Sequence, residues 1–282
     1  MTGQKSAIGR HPPRFPELPG ATTPLELNNA LLNHFFPGSP TNNHHTILLP
    51  CKDIPALYSS EVERALARPA PSSAPRPDMT PNSDWKRIHN MALNLILDLL
   101  APLLSHGFHP PSLKKADGIV LDKAGKPSCD LLSTFRLIVL VKRFPKILER
   151  IMNGCLPCVA HVAGVITPHQ CGSITRLSVA DACNTLTLEI RTLQIDKSKV
   201  STLFLDIKEG FDNVNPSSLW SILKSKGVNP SLVPWTGSFL TGGSCRPVFQ
   251  GFPKVFTPVS VGTPQGSSVS ALLLVIYVSR LH

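Results

Sequence analysis

The sequence predicts an α+β fold: a mixed set of helices with a small number of short strands, behind a mostly helical N-terminal extension. Three observations carry this. Hydrophobic residues make up 42% of the 282 residues, enough for a core and too many for wholesale disorder. Proline-rich texture dominates residues 1–81. Beyond it, segments of helical periodicity alternate with short β-branched runs bounded by Gly, Pro and Asn.

Residues 1–81 read as an extension. Ala67–Pro81 (ARPAPSSAPRPDMTP) has few groups to bury and few backbone donors, so it is expected to be a linker or draped loop. Short helices are expected at Leu25–Phe36 and Ser60–Ala67. Residues 82–117 read as a helical connector. Its main helix is expected over Asp84–Leu104, with Ser83 as cap and Trp85, Ile88, Leu95 and Leu99 on the apolar face. Pro102 should bend or end it.

From Gly118 the elements shorten. Gly118–Leu121 suits a strand, with a turn at Lys123–Lys126, and Thr134–Val141 suits a buried strand carrying one charge, Arg136. Pro145–Asn153 looks helical. Ser178–Gln194 is a capped amphipathic helix, with Ser178 and Asp181 as the capping pair and Ala182, Leu186, Ile190 and Leu193 as its apolar face. Val200–Ile207 (VSTLFLDI) reads as a strand ending in a carboxylate. Asn215-Pro216 and Asn229-Pro230 open two further helices, closed by Gly227 and Gly242-Gly243. Strands are expected at Arg246–Phe249 and Lys254–Val261. A Gly-rich turn, Gly262–Gly266, then leads into an apolar helix at Ser268–Tyr277.

Charge narrows the function classes. The net charge is +10 and the pI near 9.5, which favours a polyanionic partner, nucleic acid before an acidic membrane surface. Between Lys114 and Arg150, nine Lys/Arg stand against four Asp/Glu; the alternative to a binding patch is a solvated charged face. The first residues lack the apolar core of a signal peptide. Met91–Leu104 contains Asn94 and Asp98, and Val269–Val278 is only 10 residues long, so neither reads as a membrane span. Seven scattered cysteines fit reduced thiols.

The chemistry concentrates in FLDIKEGFDNV, Phe204 to Val214. A carboxylate at a strand end, Asp206, is well placed to hold a divalent metal; an isolated strand-terminal Asp also serves to shape a turn. This stretch resembles the first catalytic motif of non-LTR (LINE-like, jockey-type) retrotransposon reverse transcriptases. Gly262-Thr-Pro-Gln-Gly266 with Ser267 resembles their second. TFRLIVL and PKILERIMN (Thr134 to Asn153) and HQCGSITRLSVADA (His169 to Ala182) resemble two upstream motifs. All four come in the family's order and spacing, across roughly residues 118–282.

The resemblance implies the fingers and first part of the palm of a right-hand polymerase, with the helices on a small, incomplete antiparallel palm sheet. It implies an RNA-directed DNA polymerase that uses an RNA template, a DNA primer and deoxynucleoside triphosphates, in the nucleus or cytoplasm. Two Mg²⁺ ions, with Mn²⁺ as substitute, would neutralise charge during phosphoryl transfer. Asp206 would be a metal ligand, helped by the Ile207 carbonyl. Phe211 would crowd a 2′-hydroxyl and so select deoxynucleotides, and its bulk argues against a viral RNA polymerase. Arg136 would grip the triphosphate bidentately. Lys123 and Lys126 are candidates for the same task, with ordinary turn lysines the alternative. Gln265 would lie beside nucleotide and template, and Gly262 and Gly266 would let backbone approach nucleic acid. Asp212, next to Asn213, is expected to shape the following turn and not to bind metal.

The sequence also departs from the family. It contains no Asp-Asp pair, so the Tyr/Phe-x-Asp-Asp motif is missing, and the chain is expected to be truncated and to show little polymerase activity alone. No thumb or endonuclease pattern is evident. Glu209 puts a carboxylate near the triphosphate, and Leu137, Ser268 and Ala271 stand where the family favours proline. Two other readings compete: a non-catalytic nucleic-acid-binding remnant or pseudogene product, and a zinc site at Cys155-x-x-Cys158 with His161, His169 and Cys171.

Overall fold

The computed structural model describes residues 18–21, 23–35, 57–67, 82–123, 131–167, 169–174, 177–228, 232–248, 255–259 and 261–281. Eight helices and four strands are found among them. The helices are α1 Pro24–Phe35, α2 Ser59–Ala67, α3 Asn82–Ser105, α4 Arg143–Val162, α5 Val179–Ile195, α6 Pro216–Ser225, α7 Leu232–Leu240 and α8 Ser270–Val278. The strands are β1 Lys115–Asp122, β2 Phe135–Val141, β3 Gly243–Pro247 and β4 Thr257–Val259.

The strands form one sheet in the order β2-β1-β3-β4. β1 pairs antiparallel with β2 and β3 with β4, but β1 and β3 run parallel, so the sheet is mixed and not antiparallel as expected. The reason is topological. Helices α4 to α7 intervene between β2 and β3, and a crossover of that length frees the chain to return in either direction.

One face of the sheet is buried. Ala116 and Val120 of β1, alternate β2 residues Phe135, Leu137, Val139 and Val141, and Cys245 of β3 meet Leu31, Leu32 and Phe35 of α1. The period of two in β2 is what puts Arg136 on the opposite, exposed side. The larger core is helical. It joins α2, α3, α4, α6, α7 and α8 around Trp235, Leu148, Leu156, Leu219, Leu223 and Leu273. Both helices of the segment 1–81 therefore contribute buried side chains, and each has a side-chain-to-backbone cap: Thr23 with Glu26, and Glu61 onto the Tyr58 amide.

Three expectations need correction. Val200–Ile207 is not a strand. Residues 201–207 have no regular structure, and Leu203, Phe204 and Leu205 are about four-fifths exposed at 80%, 80% and 77%. β-branched content alone does not make a strand; it needs a ladder partner, and none of the four described strands pairs here. In α3 the face is as expected only at Trp85, which packs against the core: Ile88, Leu95 and Leu99 are exposed, while Ile96, Leu100 and Leu104 are buried in it. That helix is apolar nearly all round, so packing against α2 chooses the face and periodicity does not. It begins at Asn82, which places Ser83 inside, and it breaks at Ala92 (φ −142°, ψ 37°) while running on past Pro102. Its Arg87–Ser105 stretch is long and apolar enough, by length and composition, to cross a membrane.

The α5 cap is as expected: Ser178 Oγ accepts from the Asp181 amide, and the Asp181 carboxylate accepts from the Ser178 amide and hydroxyl. Of its expected apolar face, Ala182, Leu186 and Ile190 are half-buried and Leu193 is exposed, and no residue of α5 is fully buried. The Asn215 cap on α6 is formed by hydrogen bonds from the Ser217 and Ser218 amides. The turn at Lys123–Lys126 and most of the Asn229-Pro230 and Lys254–Val261 expectations fall partly outside the described residues.

Candidate functional site

Asp206 lies exposed on the irregular segment, followed by a tight turn. Glu209 heads that turn in the left-handed region (φ +52°), and its carbonyl accepts from the Asp212 and Asn213 amides at 3.0 and 3.1 Å. A Cβ at Gly210 would lie 3.3 Å from Leu274, so the turn is seated on α8.

The Gly-rich loop closes over this turn. Gly262 N donates to the Val214 carbonyl (3.0 Å) and Thr263 N to the Phe211 carbonyl (2.8 Å). Gly262 has φ +87°, and a Cβ there would meet the Asp212 carbonyl oxygen at 2.9 Å, so only glycine permits the approach. Gln265 Nε2 donates to Asp212 Oδ1 at 2.8 Å. On its other side the loop docks on the free edge of β2: Val139 N donates to the Gln265 carbonyl at 2.7 Å. Gly266 (φ +124°) sits so close that a Cβ would lie 2.5 Å from the Val139 carbonyl oxygen.

The loop thus joins Phe211, Asp212, Gln265 and Gly266 to the strand that carries Arg136. Phe211 is half-buried and Asp212 buried. Burial pushes the Asp212 carboxyl up to about 6, with Glu209 adding to the rise and the Gln265 hydrogen bond and Lys123 opposing it. Lys123 is tied to its own hairpin: its amide donates to the Thr134 carbonyl (2.8 Å) and its Nζ to the Ser133 carbonyl (2.7 Å). Its charge therefore acts on Asp212 from a fixed place. Arg136 and Asp206 are both exposed, and Lys126 lies outside the described residues.

Two residues carry more of this site than sequence reasoning gave them. Asp212 was expected to shape the turn that follows it; instead its amide closes the turn headed by Glu209, and its side chain is the partner that Gln265 reaches. Glu149 was read only as part of a helix. Its signal was there: a carboxylate amid Ile147, Leu148, Ile151 and Met152, all buried.

Among the described residues, no group of three or more His, Cys, Asp or Glu could hold a metal ion. The oxygen donors at Asp206 and Ile207 suit a hard divalent ion that takes one or two protein oxygens and fills its shell with water and phosphate. Of the cysteines in the zinc reading, Cys155 is engaged elsewhere. Cys155 hydrogen-bonds Glu61 across to α2, and burial pushes its thiol up to about 11.

A glycine-hinged loop thus clamps the edge of the sheet to a carboxylate-bearing turn. Residues 114–282 match the family model described as "Reverse transcriptase (RNA-dependent DNA polymerase)", and the chain belongs to that family. Its relatives include "RNA-directed DNA polymerase from mobile element jockey" of Drosophila melanogaster, 26% identical over 229 residues, covering 80% of this chain and 24% of the relative. "Probable RNA-directed DNA polymerase from transposon X-element", from the same organism, is 27% identical over 223 residues, 77% of this chain and 24% of the relative. The jockey-type resemblance is thereby borne out. The chain spans about a quarter of the length of these relatives.

Proposed function

We propose that this chain carries the nucleotide-handling part of a retrotransposon RNA-directed DNA polymerase, which extends a DNA primer on an RNA template. The observation that carries the reading is the Gly262–Gly266 loop, hydrogen-bonded at once to the Phe211–Val214 turn and to β2. It joins the segments that carry Phe211, Gln265, Gly266 and Arg136, the positions this reading sets against the nucleotide. Phosphoryl transfer is mostly positioning and charge neutralisation, so a rigid cradle is the protein's main contribution.

In this reading Arg136 draws in the triphosphate from the exposed face of β2, with Lys123 adding positive charge. Gln265 and Gly266 border the base and sugar, and Phe211 presses against the sugar edge. Asp206 and the Ile207 carbonyl hold a divalent ion, Mg²⁺ or in its place Mn²⁺. When bound, that ion neutralises phosphate charge and orients the reacting oxygens.

The test is titration of a fluorescent deoxynucleoside triphosphate into the chain with an RNA–DNA hybrid and Mg²⁺. Saturable binding weakened about tenfold by Arg136→Ala supports the reading, since a bidentate charge-assisted contact has that worth. Binding indifferent to Arg136 refutes it.

A second reading, a nucleic-acid binder without catalysis, is favoured by the net charge of +10 and by the lack of a carboxylate cluster around Asp206 among the described residues. It predicts steeply salt-dependent binding to an RNA–DNA hybrid with no preference for the presence of nucleotide.

A further inference from the structure

One buried acid has no place in the chemistry above. Glu149, in the middle of α4, is fully buried at 0% exposure. Its Oε2 accepts two hydrogen bonds from the loop, from Ser267 Oγ at 2.7 Å and from the Ser268 amide at 2.9 Å. Ser267 Oγ also accepts from the Val269 amide at 3.2 Å, so the same hydroxyl links the acid to the start of α8. Glu149 Oε1 is buried without a hydrogen-bond partner, and the residue lines a cavity of about 60 Å³ with His109, Val139, Gly262 and Pro264.

A carboxyl group is an expensive filler for an apolar site. Its buried neighbours along the helix, Leu148 next to it and Met152 one turn on, show what packing alone selects there. What the carboxyl adds is an acceptor for two loop donors that lie immediately after Gly266. The loop is then held at both ends. Val139 and Val214 fix it before Gly266, and Glu149 fixes it after.

We propose that Glu149 is a positioning residue for the nucleotide loop: by holding Ser267 and Ser268 it sets the place from which Gln265 reaches Asp212. The link to nucleotide rests on the function proposed above; the mechanical link from Glu149 to Gln265 does not. Burial raises the tendency of this carboxyl to keep a proton, against the hydrogen bonds from Ser267 and Ser268 and the charges of Lys146 and Arg150. A protonated carboxyl still accepts through Oε2, so glutamine is its nearest mimic.

The test compares the full chain with Glu149→Gln and Glu149→Met. Three quantities are read: amide exchange over residues 262–269, the Asp212 titration midpoint by carboxyl-carbon NMR, and the melting temperature. Glu149→Met should speed exchange at the loop about tenfold or more, because two buried hydrogen bonds are lost. It should also move the Asp212 midpoint above about 6, because the Gln265 hydrogen bond that lowers it is loosened while Glu209 still acts. Glu149→Gln should keep exchange within about twofold and leave the midpoint in place.

A melting temperature that falls with no movement of the Asp212 midpoint overturns the proposal, since a packing role would give that result. Should Glu149→Met fail to fold, Ser267→Ala removes one of the two bonds without touching α4; it must shift Asp212 in the same direction, and no shift overturns the proposal. Deoxynucleotide affinity is measured on the same proteins. If the loop and Asp212 respond while affinity does not, the positioning stands and the nucleotide reading falls.

Discussion

Gln265 Nε2 donates a 2.8 Å hydrogen bond to Asp212 Oδ1, joining the Gly-rich loop to the turn after Asp206 across 53 residues of sequence. Two stretches that resemble separate family motifs meet in this one contact. Its strength depends on the charge of Asp212, and that leads to the first prediction.

The Asp212 carboxyl is raised from its ordinary 3.8 to about 6, so folding disfavours its ionised form. The sign follows. The penalty is absent below about pH 4, grows as pH rises towards 6 and is constant above. Asp212→Asn should therefore stabilise the chain at pH 7.5, on the order of 1–2 kcal/mol after solvent screening, with the gain vanishing near pH 4. Thermal melts of both proteins across pH 4 to 8 check this. A variant less stable than wild type at pH 7.5 contradicts it.

Gly266 tests the docking of the loop on β2. A methyl group at this position would meet the Val139 carbonyl oxygen at 2.5 Å, on a backbone of φ +124°. Gly266→Ala should cost roughly 2 kcal/mol or more and pull the loop off the strand edge. Loss of exchange protection at the Val139 amide, with β1 still protected, is the expected pattern.

His109 sets the acid limit. Its ring packs edge-on against Trp235 and Phe239 at 5.7 and 5.5 Å, and burial lowers it from 6.5 to about 3, helped by Lys114. A buried neutral imidazole contributes stability that is full above pH 6.5 and drains away as pH falls towards 3. At pH 5 the loss should be about 2 kcal/mol, and His109→Leu should flatten that limb. Denaturant melts at pH 7.5 and pH 5 measure it; an equal acid loss in both proteins contradicts the assignment.

The exposed run Leu203-Phe204-Leu205 predicts self-association. Adjacent large apolar side chains exposed on a segment without regular structure offer a contact surface to another chain. Phe204→Ser with Leu205→Lys should lower the sedimentation-derived mass of the chain without lowering its melting temperature, because neither side chain is packed. A melting temperature that drops instead would show that the segment is part of the core.

Much of this architecture was legible in the sequence, and the failures share a cause. The caps at Ser178 and Asn215, the strand around Arg136 and the glycine loop are set by local chemistry that a few residues specify. The face of α3 is a tertiary choice among several apolar stripes. The fate of Val200–Ile207 depends on a partner strand, which no local pattern encodes. At the site, Gly262 and Gly266 are expected to let backbone approach nucleic acid, whereas the atoms they approach are the chain's own carbonyls of Asp212 and Val139, visible only in three dimensions. Glu149 read as one more helical residue because its partners lie 118 and 119 residues away.

The central claim is that the Phe211 turn and the Gln265 loop together hold a deoxynucleoside triphosphate. The most direct measurement compares the affinities of dATP and ATP for the chain on a poly(U)–primer hybrid in Mg²⁺, with and without Phe211→Val. The account predicts a preference for dATP of about tenfold or more that shrinks to about twofold in the variant, the scale expected when a pocket wall stops excluding one hydroxyl. Equal affinities in the wild-type chain, or a preference untouched by Phe211→Val, would contradict it.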